Sequence, residues 1–339
     1  MHPNTLGMAA LSPREIYIQR LGPGLLEAKK ARLTAVWKSY VEPQLQSGKL
    51  SFREKFDLQD YLDTIQDILD FPTNKRIQRA EISFYSRLDL MPKIEKKLCR
   101  KAKDIFIGAY PSGLVMATVT LCADRQFLVL INEGLINFSQ AIATWCIESI
   151  HLEFDHSFVK SARQKARDYF SGYKHELELV EDFSVQPLQQ NIIKISKITH
   201  YCLEYAIAHE IGHIVNGDLK EADFTFGSFS GQSLKVLDKK LEKEFLADRF
   251  ALDVLSKVND VPDTQDEAAY AACGILLFFL VGDMLEFLHE YNLEEATHPP
   301  IAKRADAIVP LLEKVFPDHL ALSLMFQEAF ATIFDDLEL

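Results

Sequence analysis

The chain lacks an uncharged, strongly apolar run of bilayer length. The longest apolar run, Ala268 to Gly282, holds 15 uncharged residues and ends at Asp283. A spanning helix needs about 20, so we expect this stretch to be a buried core helix, opened by a capping box of Thr264 and Glu267. Basic excess is also missing. With 37 Lys and Arg against 49 Asp and Glu, the net charge is −12. That disfavours binding to nucleic acid or to anionic lipid. No basic patch with interleaved aromatics is present. The five cysteines (Cys99, Cys122, Cys146, Cys202 and Cys273) are odd in number and lack metal-ligand spacing, so free thiols in a reducing compartment are expected. The start, Met-His-Pro-Asn-Thr, has no basic segment followed by an apolar one. A secretory signal is therefore not expected, and a cytoplasmic location is. No internal repeat or low-complexity block interrupts the 339 residues.

What is present centres on His209-Glu210-Ile211-Gly212-His213. Residues four apart on a helix share a face about one turn apart. Two histidines so placed have the spacing to hold one zinc ion. Glu210, beside the first of them, can take a proton from a metal-activated water. Three fixed positions recur by chance in many helices, so the neighbours decide. Leu203, Ile207, Ile211 and Ile214 fall on roughly the opposite face and would anchor the helix in a core, leaving the histidines on a cleft. Gly217 is a natural helix stop.

A catalytic zinc needs a third protein ligand and one open position. In Leu241 to Leu255 the helical period places Glu244 and Asp248 on one face with Leu241, Phe245, Leu252 and Leu255. Carboxylates inside an apolar stripe need partners. Zinc would satisfy Glu244, and the N–H of a ligand histidine would satisfy Asp248. Pairing with Lys240 or Arg249 on a solvated face is the plainer alternative. Glu242 competes as a ligand but lies on another face among charged neighbours.

HExxH followed by Glu244-Phe245-Leu246-Ala247-Asp248 resembles the gluzincin peptidases of the HtpX, Oma and CAAX-prenyl-protease type. Thr297-His298-Pro299-Pro300-Ile301-Ala302-Lys303-Arg304 resembles the later signature of that group, in which an arginine follows the histidine by six residues. The resemblance covers roughly residues 104 to 310. It implies that His298 and Arg304 help bind substrate and stabilise the tetrahedral intermediate, and that Asp248 orients His209. This chain departs from those relatives in having no clear transmembrane helix. It also reads Ile-Val-Asn-Gly-Asp after the second histidine, where many of them carry another histidine. Phage-exclusion Lit-type peptidases and ImmA/IrrE-type regulators are similar in being small, soluble HExxH proteins with few targets.

The expected fold is α+β: a mostly helical zincin-like domain over 104–339 with a small sheet, preceded by a helical region over 1–103. Breaks fall at Pro23-Gly24 and Pro72-Thr73-Asn74. Residues 114–121 and 127–131 read as strands, and a sheet edge there would take an extended peptide by strand addition. Residues 139–190 read as a charged helical insert with the character of a lid or regulatory element. Thr225 to Ser233 reads as a flexible loop. The expected activity is zinc-dependent endopeptidase chemistry on a protein or peptide substrate, with one zinc ion. The alternatives are a regulatory or defence-associated zinc protein acting on one partner, and a catalytically silent zinc scaffold.

Overall fold

The structure is a computed structural model. It describes residues 12–19, 74–110, 114–123, 125–176, 188–219, 224–229, 232–237, 241–260, 265–289, 300–317 and 320–334. It is mostly helical with a small mixed sheet, the α+β class expected. Helix α1 (Lys75–Leu88) starts where the Asn74 side chain accepts the Arg76 N–H, a standard N-cap, and buries Ile77, Ala80, Phe84 and Leu88 along one stripe. Helix α2 (Pro92–Lys101) opens on proline, whose missing N–H is no loss in a first turn, and among its residues buries only Leu98.

The sheet has strand order β1-β3-β2. Strand β3 (Gln126–Asn132) lies between β1 (Asp104–Tyr110), to which it is parallel, and β2 (Ala117–Ala123), to which it is antiparallel. Phe127 through Asn132 are all buried, so the central strand is a continuous apolar run rather than an alternating one. The chain enters helix α3 (Glu133–His151) straight from β3. Residues 139–151, read from sequence as the start of a charged insert, lie within α3, which is buried from Ala141 to Ser149. Helix α4 (His156–Glu176) follows.

Helix α5 (Ile192–Asn216) is the axis of the molecule. Helices α6 (Leu241–Leu255), α7 (Gln265–His289), α1 and α3 all pack on it. The expected core-facing residues Leu203, Ile207, Ile211 and Ile214 are buried, but so is every residue from Tyr201 to Val215. A helix covered on all sides loses its amphipathic signature. Gly217, with φ of 77°, ends α5 in the left-handed region, where a residue with a Cβ is strained.

Helix α7 extends the expected core helix at both ends. Its span Asp266–Glu286 is long and apolar enough to cross a membrane by length and composition, and 61% of that window is buried inside the protein. The Glu267 carboxylate accepts from Lys197 and from Tyr201 on α5; Thr264, its partner in the expected capping box, lies outside the described residues. Helices α8 (Ile301–Val315) and α9 (Leu320–Phe334) complete the helical layer. The sheet holds β1 beyond the two strands expected at 114–121 and 127–131, and the flexible loop expected at 225–233 is a further correction. Thr225 to Ser233 falls in a hairpin of β4 (Phe224–Phe229) and β5 (Gln232–Leu237), paired in antiparallel register.

Candidate active site

Four segments converge at the C-terminal half of α5. The one-turn spacing of α5 puts His209 and His213 side by side, with their Nε2 atoms 3.3 Å apart. Helix α6 crosses this point closely because residue 212 is glycine. A Cβ there would lie 3.0 Å from the Ala247 Cα and 3.2 Å from its carbonyl oxygen. The close crossing delivers Glu244 and Asp248, themselves one turn apart on α6. The alternative of a solvated face is excluded: both carboxylates are 0% exposed, and Arg249 pairs with Asp253 instead. Glu242 is exposed. Leu241 and Leu246 are exposed too, so the apolar stripe around the two carboxylates is narrower at its first turn than the period suggested.

Glu244 Oε2 lies 3.2 Å from His209 Nε2, and Oε1 lies 3.6 Å from His213 Nε2. One ligand atom from each of the three residues falls within 4.8 Å of the others. The far side of each ring meets a second carboxylate. His209 Nδ1 is 2.8 Å from Asp248 Oδ1, and His213 Nδ1 is 3.0 Å from Asp218 Oδ2. Such contacts fix the tautomer with the proton on Nδ1 and leave Nε2 as a bare lone pair. Arg304 Nη2 is also 3.4 Å from His209 Nδ1. The carboxylate contact is shorter and charge-matched, and it sets the proton.

With that assignment two ring lone pairs and a carboxylate face one another in a buried pocket, a repulsion that a shared cation, or a proton on one ring, relieves. A tetrahedral zinc, with Zn–N of about 2.0–2.1 Å, has ligand atoms about 3.3 Å apart. The separations here of 3.3, 3.2 and 3.6 Å fit that size. The donor set of two imidazoles and one carboxylate suits zinc as well. Glu210 is buried beside His209 on α5.

Arg304 reaches the cluster from the first turn of α8. That helix is seated by Glu286 of α7, whose Oε1 accepts the Ile301 N–H at 2.7 Å. Arg304 Nε and Nη2 donate to the two oxygens of Asp248 at 2.8 and 2.7 Å, and Nη1 lies 3.2 Å from Glu244 Oε2. All three guanidinium nitrogens are therefore engaged by the carboxylates of Asp248 and Glu244, a positioning geometry. To donate to an oxyanion, as the resemblance implied, it would have to release one of them. Its ring neighbours are Phe278 and Phe279. His298 lies outside the described residues.

The electrostatics follow this geometry. Burial raises the Asp248 pKa, but Arg304 and His209 outweigh it and hold the carboxyl below its ordinary value. Burial lowers the His209 pKa, but Asp248 and Glu244 outweigh it and the net direction is upward. Burial and Asp248 push the Tyr205 phenol up, and its OH reaches the backbone oxygen and Oδ1 of Asp248, each at 3.3 Å.

The sequence reading missed two contributors. Tyr205, four residues before His209 on the same helix, carries no signal of its role in the sequence. Asp218 was legible in principle, because the left-handed turn at Gly217 folds the next residue back toward the helix end; the Asp218 N–H bonds the His213 carbonyl at 3.0 Å. Residues 156–322 match the family model Peptidase U49, a span that contains His209, Glu210, His213, Asp218, Glu244, Asp248 and Arg304. Curated proteins gave no match, and solved structures gave none. The Peptidase U49 match supports a peptidase family for this chain, and with it a protein substrate.

Proposed function

We propose that the chain is a zinc-dependent endopeptidase of gluzincin type, with His209, His213 and Glu244 as the protein ligands of one zinc ion and Glu210 as the general base. The reading rests on one observation: the acceptor atoms of the three buried residues converge at tetrahedral-edge distances while carboxylates hold the opposite nitrogens of both rings. When bound, zinc supplies a Lewis acid for the scissile carbonyl and lowers the pKa of water to about 7. Glu210 takes the proton of the attacking water and returns it to the leaving amine. Asp248 keeps the His209 ring oriented with Nε2 inward, and Asp218 does the same for His213. Arg304 favours the ionised form of Asp248 and holds Asp248 and Glu244 in place. A purely structural zinc site has no use for a general base at the position of Glu210, and that argues against a silent scaffold.

The test is Glu210→Gln in the full chain. We expect the variant to keep one zinc per chain by elemental analysis. Protein fragments generated by the wild type should fall by about 10²–10⁴-fold, the range a general base contributes. Undiminished cleavage would remove Glu210 as the base. Identical fragment sets from wild type, variant and empty control would leave zinc a structural role only.

A further inference from the structure

Tyr205, His209 and His213 recur at four-residue steps and share one face of α5. Glu244 and Asp248, one turn apart on α6, meet that face. Glu244 lies against both histidines, and Asp248 against His209 and Tyr205. Tyr205 is fully buried, and a buried phenol needs an acceptor. Among the described residues its acceptors both belong to Asp248: the backbone oxygen and Oδ1, each at 3.3 Å. Both contacts are longer than an ordinary O–H···O bond, which fits one proton shared between two acceptors.

The phenol ring is held where it is. It packs on Phe278 and Phe279 of α7, with ring centroids 5.0 and 5.8 Å away. Phe278 also packs on the His209 ring at 5.8 Å and lies beside the Arg304 guanidinium. A close-packed interior keeps such side chains in their rotamer minima. Asp248 is thereby gripped from two sides. Arg304 takes both carboxylate oxygens, but a long side chain does not by itself fix them against α6. A hydroxyl shared between Oδ1 and the main chain of the same residue does. His209 Nδ1 lies 2.8 Å from that same Oδ1, so the ring takes its direction from where the oxygen is held.

We propose, on the reading of His209 as a zinc ligand, that Tyr205 is a positioning residue of the metal centre. By bridging the backbone and the carboxylate of Asp248 it sets the direction in which Asp248 meets His209, and so the direction of His209 Nε2. It acts through Asp248 and exchanges no proton. Tyr201 supplies the control. It lies one turn earlier on α5, is buried, and donates its hydroxyl to Glu267 at 2.7 Å, away from the cluster.

Tyr205→Phe and Tyr201→Phe make the same deletion in the full chain. Each loses a hydrogen bond to a carboxylate, so each should melt lower than wild type. Only Tyr205→Phe should lower zinc affinity, by about 3–10-fold in a chelator competition, less than the roughly 10–100-fold that follows loss of a ligand histidine's own partner. In the metal-free chain, the proton resonance of the His209 Nδ1–H should shift in Tyr205→Phe and stay in place in Tyr201→Phe. A purely structural tyrosine would move the melting temperature alone. Unchanged zinc affinity in Tyr205→Phe, an unmoved His209 resonance, or equal losses of affinity in the two variants would each overturn the proposal. A wild-type chain that takes up no zinc overturns the zinc reading instead, and the His209 resonance then decides the role of Tyr205 by itself.

Discussion

The two halves of α5 each bury ionisable groups, and they do so in opposite ways. Upstream, Glu204 is fully buried and is answered by Arg87, whose Nε and Nη2 donate to its two oxygens at 2.6 and 3.4 Å. One carboxylate meets one guanidinium and the account of charge closes. Downstream, the carboxylates of Glu244 and Asp248 share the guanidinium of Arg304, and His209 lies against both of them. The pKa directions register the difference. Burial raises Glu204, with Arg87 opposing, and the net direction stays upward. Burial also raises Asp248, but there Arg304 and His209 act together and the net direction is downward. Uncompensated charge is too costly to bury for stability alone. Upstream one carboxylate is matched by one guanidinium; downstream two carboxylates share Arg304 with a histidine, in the cluster that the proposed zinc would use.

Substitutions can break or sharpen this contrast. The largest effect should come from Glu244→Ala, which we expect to lose stoichiometric zinc after dialysis, by elemental analysis, while Glu204→Ala keeps it. A Glu244→Ala chain that retains one zinc would end the distinction between the two halves. Next, Arg304→Met leaves Asp248 and Glu244 buried without their cation. It should cost about 3–5 kcal/mol in urea unfolding of the metal-free chain; a loss below about 1 kcal/mol would mean that Arg304 does not hold them. Asp218→Asn removes the charge behind His213 and should lower zinc affinity about 10–100-fold in a chelator competition. An unchanged affinity would make Asp218 a bystander. The smallest effect belongs upstream. Arg87→Met with Glu204→Met should lie within about 1 kcal/mol of wild type, although either single change is costly, because a buried pair replaced as a unit by apolar side chains is often neutral. A double variant as unstable as the singles would show the upstream pair doing more than balancing itself.

Local pattern made much of this legible. The four-residue spacings of His209 with His213 and of Glu244 with Asp248 are properties of single helices, and so was the stop at Gly217. The strands around Val119 and Val129 followed from their β-branched runs. What remained hidden depends on contacts distant in sequence. β1 pairs with β3 in parallel; Ile105, Phe106, Ile107 and Tyr110 favour a strand, but Gly108 and the partner distant in sequence obscure it. The β4–β5 hairpin was masked by Gly and Ser, since strand formation is set largely by the facing strand. α3 read as an insert because helical charge was weighed over the buried stretch Ala141 to Ile147. Arg304 was visible by spacing, but its commitment to Asp248, 56 residues earlier, was not.

The left-handed turn at Gly217 gives α5 a fixed zero point from which His213 is counted. Asp218 meets His213 only because the turn at Gly217 comes four positions after that histidine. Inserting one residue between them would rotate Asp218 by about 100° around the helix axis and carry its carboxylate off the imidazole, while leaving the core contacts of Leu203 and Ile207 untouched. Helix length here works as a gauge, and a single-residue insertion would separate a chain that folds from a chain that holds its second histidine in register.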